Sequence, residues 1–308
     1  MLNHLPVLLK ESVELLAPER GGRFLDATFG GGGHTRAILE AGPEAKILAL
    51  DCDPEAKIRA ESFQKSFPDR FDFKQTNFDA LKSLPDGDFN GALFDFGVSS
   101  FQLDDAARGF SFRKEAPLDL RLNPDKGEPA SSFLENASSA ELIQAVRDYG
   151  EESRWRKVVD AIIDARGTDS LKTTTNFAAL IEANVGSFSY RSKIHPATRT
   201  FQGIRIAVND ELGVIERGLP AAFEKLIPGG VLVAISFHSL EDRIVKRLFK
   251  RLAGRPEHGR DSRPQDERVR LAELLTRKPV TASDEEVASN PRSRSAKLRA
   301  IRKLAVVN

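Results

Sequence analysis

Short apolar runs alternate with helical patterns over the first hundred residues, and this alternation is typical of a parallel α/β sheet. The predicted strands lie at 24–28, 47–51, 71–73 and 92–96. Between the strands, one helix begins near His34, and Pro54 takes the favoured first position of the next. A sheet of this kind binds ligands at the carboxyl ends of its strands, so functional side chains are expected there.

After the fourth strand the alternation stops, and the next convincing strand is 231–236. Helical patterns fill the interval at 140–149, 153–165, 176–185 and 198–226. The simplest interpretation is a helical domain at 105–198 inserted into a sheet domain at 1–104 and 199–308. Residues 251–290 are charged and rich in Arg, Asp, Pro and Ser, which predicts a mobile excursion before a final basic strand or helix.

The composition is that of an ordinary soluble globular protein, with 40% hydrophobic and 30% charged residues among 308. Apolar stretches such as 231–237 are too short to span a bilayer, and the first residues lack the pattern of a secretion signal. Cys52 is the only cysteine, which excludes an internal disulfide framework and a cysteine-built zinc site. We therefore expect a cytoplasmic protein with no membrane partner.

Net charge gives no global sign of nucleic-acid binding, because 46 basic and 45 acidic side chains leave a formal charge of +1. Any contact with RNA must come from local patches, and the chain has two that contrast with this balance. Their members are Arg292, Arg294, Lys297, Arg299, Arg302 and Lys303 in one, and Arg243, Lys246, Arg247, Lys250 and Arg251 in the other. The alternative for each patch is solvated charge on a helix face.

A glycine loop, Gly30 to Gly33, joins the first strand to the first helix of the sheet. Two cofactor classes use such a loop. A dinucleotide fingerprint requires a third glycine, and Thr35 stands at that position. A nucleoside such as S-adenosylmethionine has no phosphate and needs close backbone contact and a carboxylate for its ribose hydroxyls.

Two aspartates and a phenylalanine follow the strands around this loop. Asp51 ends the second strand, where an acid suits the ribose hydroxyls of either cofactor class, and Asp95 lies near the end of the fourth. Phe78 follows the third strand and is placed to stack on an adenine ring. The alternatives are a plain strand-end residue for Asp95 and an ordinary core residue for Phe78.

Longer motifs resemble those of the bacterial ribosomal RNA small subunit methyltransferase H family, which methylates the N4 of cytosine in 16S ribosomal RNA. The carrying segments, in the family's order, are 4–11, 26–35, 95–105, 108–112, 117–121, 149–152, 195–202, 236–243 and 290–295. Departures are small: Phe96 and Phe101 stand where Leu and Pro are expected, and Gly31 where many relatives carry another residue. None removes a polar group.

The resemblance implies a class I S-adenosylmethionine-dependent methyltransferase, with a Rossmann-like, doubly wound and mostly parallel sheet and an inserted helical domain for RNA. It implies a cytosine in the decoding region as the target, in the small ribosomal subunit or its precursor, and a homodimer by family analogy. The residues that it assigns to the S-adenosylmethionine site are Gly32, Gly33, His34, Asp51, Phe78, Asp95 and Gln102.

The chemistry at an exocyclic amino group needs hydrogen-bond acceptors and no covalent intermediate, because the nitrogen itself attacks the methyl group. Asp95, Ser99 and Ser100 are the candidate acceptors after the fourth strand. Methylation at the ring carbon C5 needs a thiolate, and Cys52 beside the proposed ribose acid is the only cysteine. DNA amino-methyltransferases commonly carry Pro-Pro-aromatic at this place, which this chain lacks. The alternative for the two serines is a turn or a helix cap.

Candidate RNA-binding residues lie around the return from the insertion to the sheet. An aromatic side chain interleaved with arginines is able to stack an unpaired base and hold its phosphates. The candidates at this return are His195, Arg199, Phe201 and Arg205. Further substrate-binding candidates elsewhere in the chain are Asp119, Arg121 and, after the fifth strand, His238. The alternatives are a core position for Phe201, an acidic partner for Arg199, a helix cap for His238 and a mutual ion pair for Asp119 and Arg121.

Three other functions stay open at the level of sequence. They are another RNA or DNA amino-methyltransferase, a non-catalytic RNA-binding module with a vestigial cofactor fold, and a nicotinamide-dependent oxidoreductase. Failure to bind S-adenosylmethionine would favour the binding module, and tighter binding of a dinucleotide would favour the oxidoreductase. No metal is expected.

Overall fold

A computed structural model describes residues 6–85, 87–186 and 195–305, and it separates into two compact units. The first unit contains Met1–Gly97 and Leu212–Asn308, and the second contains Val98–Glu211. The second unit encloses the proposed insertion at 105–198 and extends further at both ends.

One seven-stranded sheet forms the first unit. Its strands are β1 (Gly22–Asp26), β2 (Ala45–Asp51), β3 (Phe71–Gln75), β4 (Phe89–Asp95), β5 (Leu226–Ser236), β6 (Ala272–Leu274) and β7 (Lys297–Lys303). They lie in the order β3-β2-β1-β4-β5-β7-β6, with β1 to β5 parallel and β7 antiparallel to both β5 and β6. The predicted doubly wound, mostly parallel sheet is confirmed, and the winding reverses between β1 and β4, where such folds bind ligands.

Both faces of this sheet are covered by apolar side chains. Leu25 and Leu48 belong to one cluster of buried residues, whereas their neighbours Phe24 and Ile47 belong to another. Strands that are buried on both faces have continuous runs of apolar residues. This explains why the strands could be predicted from such runs in the sequence.

The described α-helices cover the faces of the sheet and build the second unit. They are α1 (Leu9–Leu16), α2 (Gly33–Ala41), α3 (Pro54–Ser66), α4 (Ser100–Asp104), α5 (Ala130–Asn136), α6 (Ser139–Ile143), α7 (Trp155–Asp164), α8 (Thr174–Val185), α9 (Ala197–Asn209), α10 (Glu211–Glu224), α11 (Ser239–Leu252) and α12 (Asp284–Ser289). Within the described parts of the chain, no helix has the length and apolar character that a membrane span requires.

The structure adds detail to two segments that the sequence patterns describe only coarsely. The helical stretch predicted at 198–226 consists of two helices, because Asp210 adopts a left-handed conformation with φ 49° and ends α9. The segment 251–290, for which a mobile excursion is predicted, contains the short strand β6 and the short helix α12. The final basic segment is a strand, β7.

The second unit has its own apolar core, in which Phe177 and Ile204 are fully buried. The helix predicted at 140–149 begins as α6 and continues as a π-helix, Gln144–Tyr149. Gly203 of α9 lies against this segment so closely that a Cβ there would be 2.1 Å from the carbonyl oxygen of Ala145.

Candidate active site

The loop between β1 and α2 has a backbone conformation that favours glycine. Gly30 and Gly32 have positive φ values of 52° and 76°. A Cβ on Gly32 would lie 2.4 Å from a ring carbon of Phe63, and one on Gly33 would lie 2.2 Å from Cγ of Pro6. The glycines therefore let the loop backbone approach its neighbours closely at the carboxyl end of β1.

Asp26 begins the motif 26–35 and is not among the predicted site residues, yet it holds the glycine loop in place. It is buried at the end of β1, and its carboxylate accepts hydrogen bonds from the Thr28 backbone N–H at 3.1 Å and the Thr35 hydroxyl at 2.6 Å. Burial raises the pKa of Asp26, and the hydrogen bond from Thr35 is the main opposing effect. The Thr28 hydroxyl in turn accepts the backbone N–H of Asp95 at 2.7 Å, so this network joins the loop to β4.

Asp51 ends β2 and fixes the glycine loop from the other side. Its carboxylate accepts the backbone N–H of Gly30 at 2.7 Å through Oδ2 and that of Asp53 at 2.9 Å through Oδ1. Burial raises the pKa of Asp51 to about 6 against the effect of these hydrogen bonds, with the charges of Asp53 and Arg59 as smaller and opposite influences. A carboxylate offers about four lone-pair sites, so Asp51 keeps capacity for two further donors.

His34 and Asp95 carry buried polar atoms at the same edge of the sheet. His34 lies in the first turn of α2, Asp95 ends β4, and Nε2 of the histidine is 3.6 Å from Oδ2 of the aspartate. Among the described residues, neither ring nitrogen of His34 nor Oδ1 of Asp95 has a hydrogen-bond partner. Buried polar atoms in native proteins almost always have one, so these atoms mark a place where a ligand is expected to supply it.

Phe78 begins a short 3-10 turn after β3 and is half-buried. Its ring contacts Phe94 edge-on at 5.2 Å between centroids and Phe96 at 6.0 Å. A Cβ on Gly218 would lie 2.4 Å from the ring. These contacts place Phe78 at the margin of the core. That its ring stacks on the adenine of the cofactor stays a prediction.

Ser99 and Gln102 are engaged with each other at the start of the second unit. Ser99 is the N-cap of α4: its hydroxyl accepts the backbone N–H of Gln102 at 3.2 Å, while Oε1 of Gln102 accepts the backbone N–H of Ser99 at 2.9 Å. The helix-cap alternative for Ser99 is therefore confirmed, and Ser100 is the first residue of α4. Catalytic roles for the two serines, and a cofactor contact for Gln102, stay predictions.

Asp119 and Arg121 form a two-pronged ion pair, with N–O distances of 2.8 and 2.7 Å. This pair lowers the pKa of Asp119 despite partial burial, and it confirms the alternative in which the two residues bind each other. The Arg121 guanidinium also donates to the carbonyl of Gly127 at 3.1 Å, so the pair braces a loop of the second unit.

The residues predicted to bind RNA around α9 have different environments. Arg199 is exposed and donates to the carbonyl of Glu151 at 3.4 Å, while the His195 ring accepts the backbone N–H of Ala197 at 3.2 Å. Arg205 is tied to Glu211 by two hydrogen bonds of 2.8 and 3.0 Å.

Phe201 belongs to the core of the second unit. It is only 5% exposed, and its ring lies 5.0 Å from Phe112 and 5.3 Å from Phe177. A ring covered by protein on this scale has no free face for a base, so the structure supports the core alternative for Phe201 instead of base stacking.

His238 caps α11 in the first unit. Its Nδ1 accepts the backbone N–H of Glu241 at 3.5 Å, and Oε2 of Glu241 accepts the backbone N–H of Phe237 at 2.7 Å. The helix-cap alternative is confirmed, and a substrate contact for His238 stays a prediction.

Comparison with known proteins decides the family of this chain, since the model of the MraW methylase family matches residues 1–304. The chain belongs to the MraW methylase family. Its curated relatives include proteins named ribosomal RNA small subunit methyltransferase H, and these names agree with the family resemblance of the sequence motifs. One from Thermomicrobium roseum is 47% identical over 98% of this chain and 94% of its own length. Those from Heliobacterium modesticaldum and Gluconobacter oxydans are 42% and 45% identical over 99% and 97% of this chain, and over 99% and 92% of their own lengths.

Membership in this family makes the chain an S-adenosylmethionine-dependent methyltransferase and confirms the cofactor predicted from the sequence. The residues of this methylase at the carboxyl edge of the sheet fit that cofactor. Asp51 has acceptor capacity for ribose hydroxyls, and the glycine loop permits close backbone approach. The buried atoms of His34 and Asp95 that lack a hydrogen-bond partner among the described residues are available to polar groups of a ligand.

Proposed function

We propose that this methylase transfers a methyl group to the exocyclic N4 of a cytosine in the decoding region of 16S ribosomal RNA. The observation that carries the proposal is the Asp95 carboxylate, which ends β4 with Oδ1 unpartnered among the described residues. A carboxylate accepts hydrogen bonds only, and an amino group offers two hydrogens to such an acceptor. The family membership supports ribosomal RNA as the substrate class.

The amino nitrogen of cytosine is a weak nucleophile because its lone pair is delocalised into the ring. A carboxylate that accepts one of its hydrogens favours the pyramidal geometry in which the lone pair is available. S-adenosylmethionine supplies an electrophilic methyl group bound to sulfur. The nitrogen forms its bond to the methyl carbon as the bond from that carbon to sulfur breaks, and the electron pair of the broken bond stays on sulfur. The nitrogen gains positive charge and then loses one proton to solvent. Asp95 is the group that we assign to stabilise this charge.

Ring-carbon methylation is disfavoured by the cysteine content of the chain. Attack on the ring needs a thiolate that forms a covalent bond to the base, and Cys52 is the single candidate. Cys52 directly follows Asp51, the residue that holds the glycine loop and is assigned to the ribose. Direct transfer without a covalent enzyme intermediate is therefore the mechanism that we propose.

The proposed partner is the small ribosomal subunit or its precursor, in the cytoplasm, with an unpaired cytosine as target because extruding a paired base costs a few kcal/mol. Asp119, Arg121, His195, Arg199, Arg205 and His238 stay proposed substrate contacts. A homodimer is proposed on the family resemblance alone.

The test of the catalytic assignment is Asp95→Asn, which keeps the shape of the side chain and removes its charge. We expect kcat to fall about 100-fold or more, in line with the usual contribution of a positioned acid or base. Asp72→Asn on β3 is the matched control, because Asp72 is an exposed carboxylate on the same sheet.

Two further variants separate catalysis from folding. Ser99→Ala removes a helix cap and is expected to lower the free energy of unfolding by about 1 kcal/mol. Ser100→Ala leaves that cap in place, so a selective loss of kcat in Ser100→Ala identifies a second acceptor. If Asp95→Asn keeps a kcat within a few-fold of Asp72→Asn, the assignment of Asp95 is wrong.

A further inference from the structure

A cleft of about 430 Å³ lies beside β6, the edge strand of the sheet, and belongs wholly to the first unit. Its lining includes three arginines, Arg255, Arg270 and Arg277, together with Gln265 and Glu273. All three arginines are exposed, and none of their guanidinium groups has a hydrogen bond or ion pair with another described residue.

Nearby arginines of the same segment are paired with acids. Arg263 and Arg268 each bind Asp261 at 3.0 Å, and Arg263 also reaches Glu257 at 3.1 Å. These partners hold the pKa of Asp261 well below its usual range, so its charge is already matched. Arg263 and Arg268 are therefore used in structure, whereas the guanidinium groups of the three arginines that line the cleft have no such acidic partner among the described residues.

The positive charge of the cleft is nearly uncompensated. Glu273 is the single carboxylate in the lining, and it lies 3.5 Å from the Arg302 guanidinium. Three guanidinium groups therefore share the cleft with one acid that already has a cationic neighbour. Charges of one sign in a concave site raise the local concentration of ligands of opposite charge.

Hydrogen bonds to backbone carbonyls fix the walls of the cleft. The Gln265 side chain donates to the carbonyl of Gly254 at 2.9 Å, and the Leu271 N–H donates to the carbonyl of Leu252 at 2.7 Å. Ala253 and Arg270 form an antiparallel bridge between the two walls. Arg270 and Arg255, which follows Gly254, thus lie at positions that these contacts hold in place.

We propose that this cleft binds the phosphate backbone of the RNA substrate, at a distance along the sheet from the strand ends that carry Asp51 and Asp95. Guanidinium groups match phosphate oxygens with two parallel hydrogen bonds, and they recognise phosphodiesters without reading sequence. In the sheet, β5 and β7 separate β4 from β6, so the cleft is an additional anchoring surface. This inference rests on the proposed RNA substrate.

The test is the triple variant Arg255→Gln, Arg270→Gln and Arg277→Gln, with binding to purified small ribosomal subunits measured between 0.1 and 1 M salt. Removal of each arginine–phosphate pair is expected to reduce the slope of log affinity against log salt by about 0.7 for single-stranded RNA. Three such pairs give a slope lower by about 2, hence an affinity about 100-fold weaker at 0.1 M salt and little changed at 1 M.

A charge-matched control removes three exposed lysines of the same unit, as Lys46→Gln, Lys65→Gln and Lys82→Gln. We expect this control to keep the wild-type slope to within about 0.7, the value for one phosphate pair. Both variants are expected to keep the wild-type affinity for S-adenosylmethionine, which verifies folding of the first unit. Arg277→Lys keeps the charge and is expected to keep the slope, whereas Arg277→Gln alone lowers it by about 0.7.

Equal slopes for the arginine variant, the lysine control and the wild type would overturn the proposal while leaving methyl transfer intact. Binding of inorganic pyrophosphate that is abolished in the arginine variant, with unchanged subunit binding, would identify a free phosphate ligand and also overturn it. Because binding is measured without catalysis, failure of methyl transfer to RNA is a separate result that bears on the proposed function.

Discussion

The affinity of this methylase for S-adenosylmethionine is expected to depend on pH near 6, through Asp51. The pKa of Asp51 is raised to about 6 by burial. We propose that its ionised form, which is the stronger hydrogen-bond acceptor, binds the ribose hydroxyls. At pH 5 about a tenth of the free protein carries this carboxylate in ionised form. If protonated Asp51 binds the cofactor poorly, affinity is about tenfold weaker at pH 5 than at pH 8.

The stability of the free protein also depends on the protonation of Asp51, but it falls with rising pH, whereas the affinity for S-adenosylmethionine rises. The folded protein holds the Asp51 proton more tightly than the unfolded chain, since the pKa is about 6 instead of 3.8. The free energy of unfolding therefore falls as pH rises from about 4 to about 6, by about 3 kcal/mol at most from this group. Ionising Asp51 thus destabilises the free protein, while in the proposed role it makes the carboxylate a stronger acceptor for the ribose hydroxyls.

Isothermal titration of S-adenosylmethionine from pH 5 to pH 8 measures the effect, with Asp51→Asn as the comparison. Asparagine does not ionise in this range, so the variant is expected to bind more weakly and with an affinity that changes less with pH. Chemical unfolding over the same range is expected to show the stability difference between the two proteins changing between pH 4 and pH 6. A wild-type affinity that is constant from pH 5 to pH 8, or an equal pH dependence in Asp51→Asn, would refute the role of Asp51.

Three further predictions concern stability. Gly32→Ala is expected to lower the free energy of unfolding by more than the roughly 1–2 kcal/mol that a left-handed conformation costs, because its Cβ would also clash with the Phe63 ring. Thermal unfolding measures this loss, and Gly87→Ala is the control because the space around Gly87 is open. Asp242→Ala leaves the buried Arg299 without the carboxylate it binds at 2.7 Å, and denaturant titration is expected to show a loss of about 3–5 kcal/mol. Phe201→Ala is expected to cost about 3–5 kcal/mol of stability as a core cavity, and a variant of unchanged stability with weaker RNA binding would restore the base-stacking role.

The strands of the sheet were predictable because the apolar runs and glycine turns that mark them are short, contiguous stretches of the sequence. Apolar runs such as 47–51 fall within the observed strands, and the glycine loop stands between β1 and α2 as the pattern requires. Strand starts were less predictable: β4 begins at Phe89 instead of Ala92, since polar Asn90 interrupts the apolar run.

Side-chain partners were the part that sequence left open, because they depend on contacts between distant residues. The Thr28 hydroxyl accepts the backbone N–H of Asp95 across 67 positions, and no spacing rule locates such a pair. Phe201 has arginines on both sides in the chain, yet the fold turns its ring into the core.

The most direct test of the central claim is transfer of a labelled methyl group from S-adenosylmethionine to small ribosomal subunits that lack the modification, followed by mass identification of the modified nucleoside. The account predicts N4-methylated cytidine from one site in the decoding region, with the label greatly reduced in Asp95→Asn. Label on C5 of cytidine or on another base would contradict the amino-group mechanism, and absence of transfer to any RNA would contradict the proposed substrate.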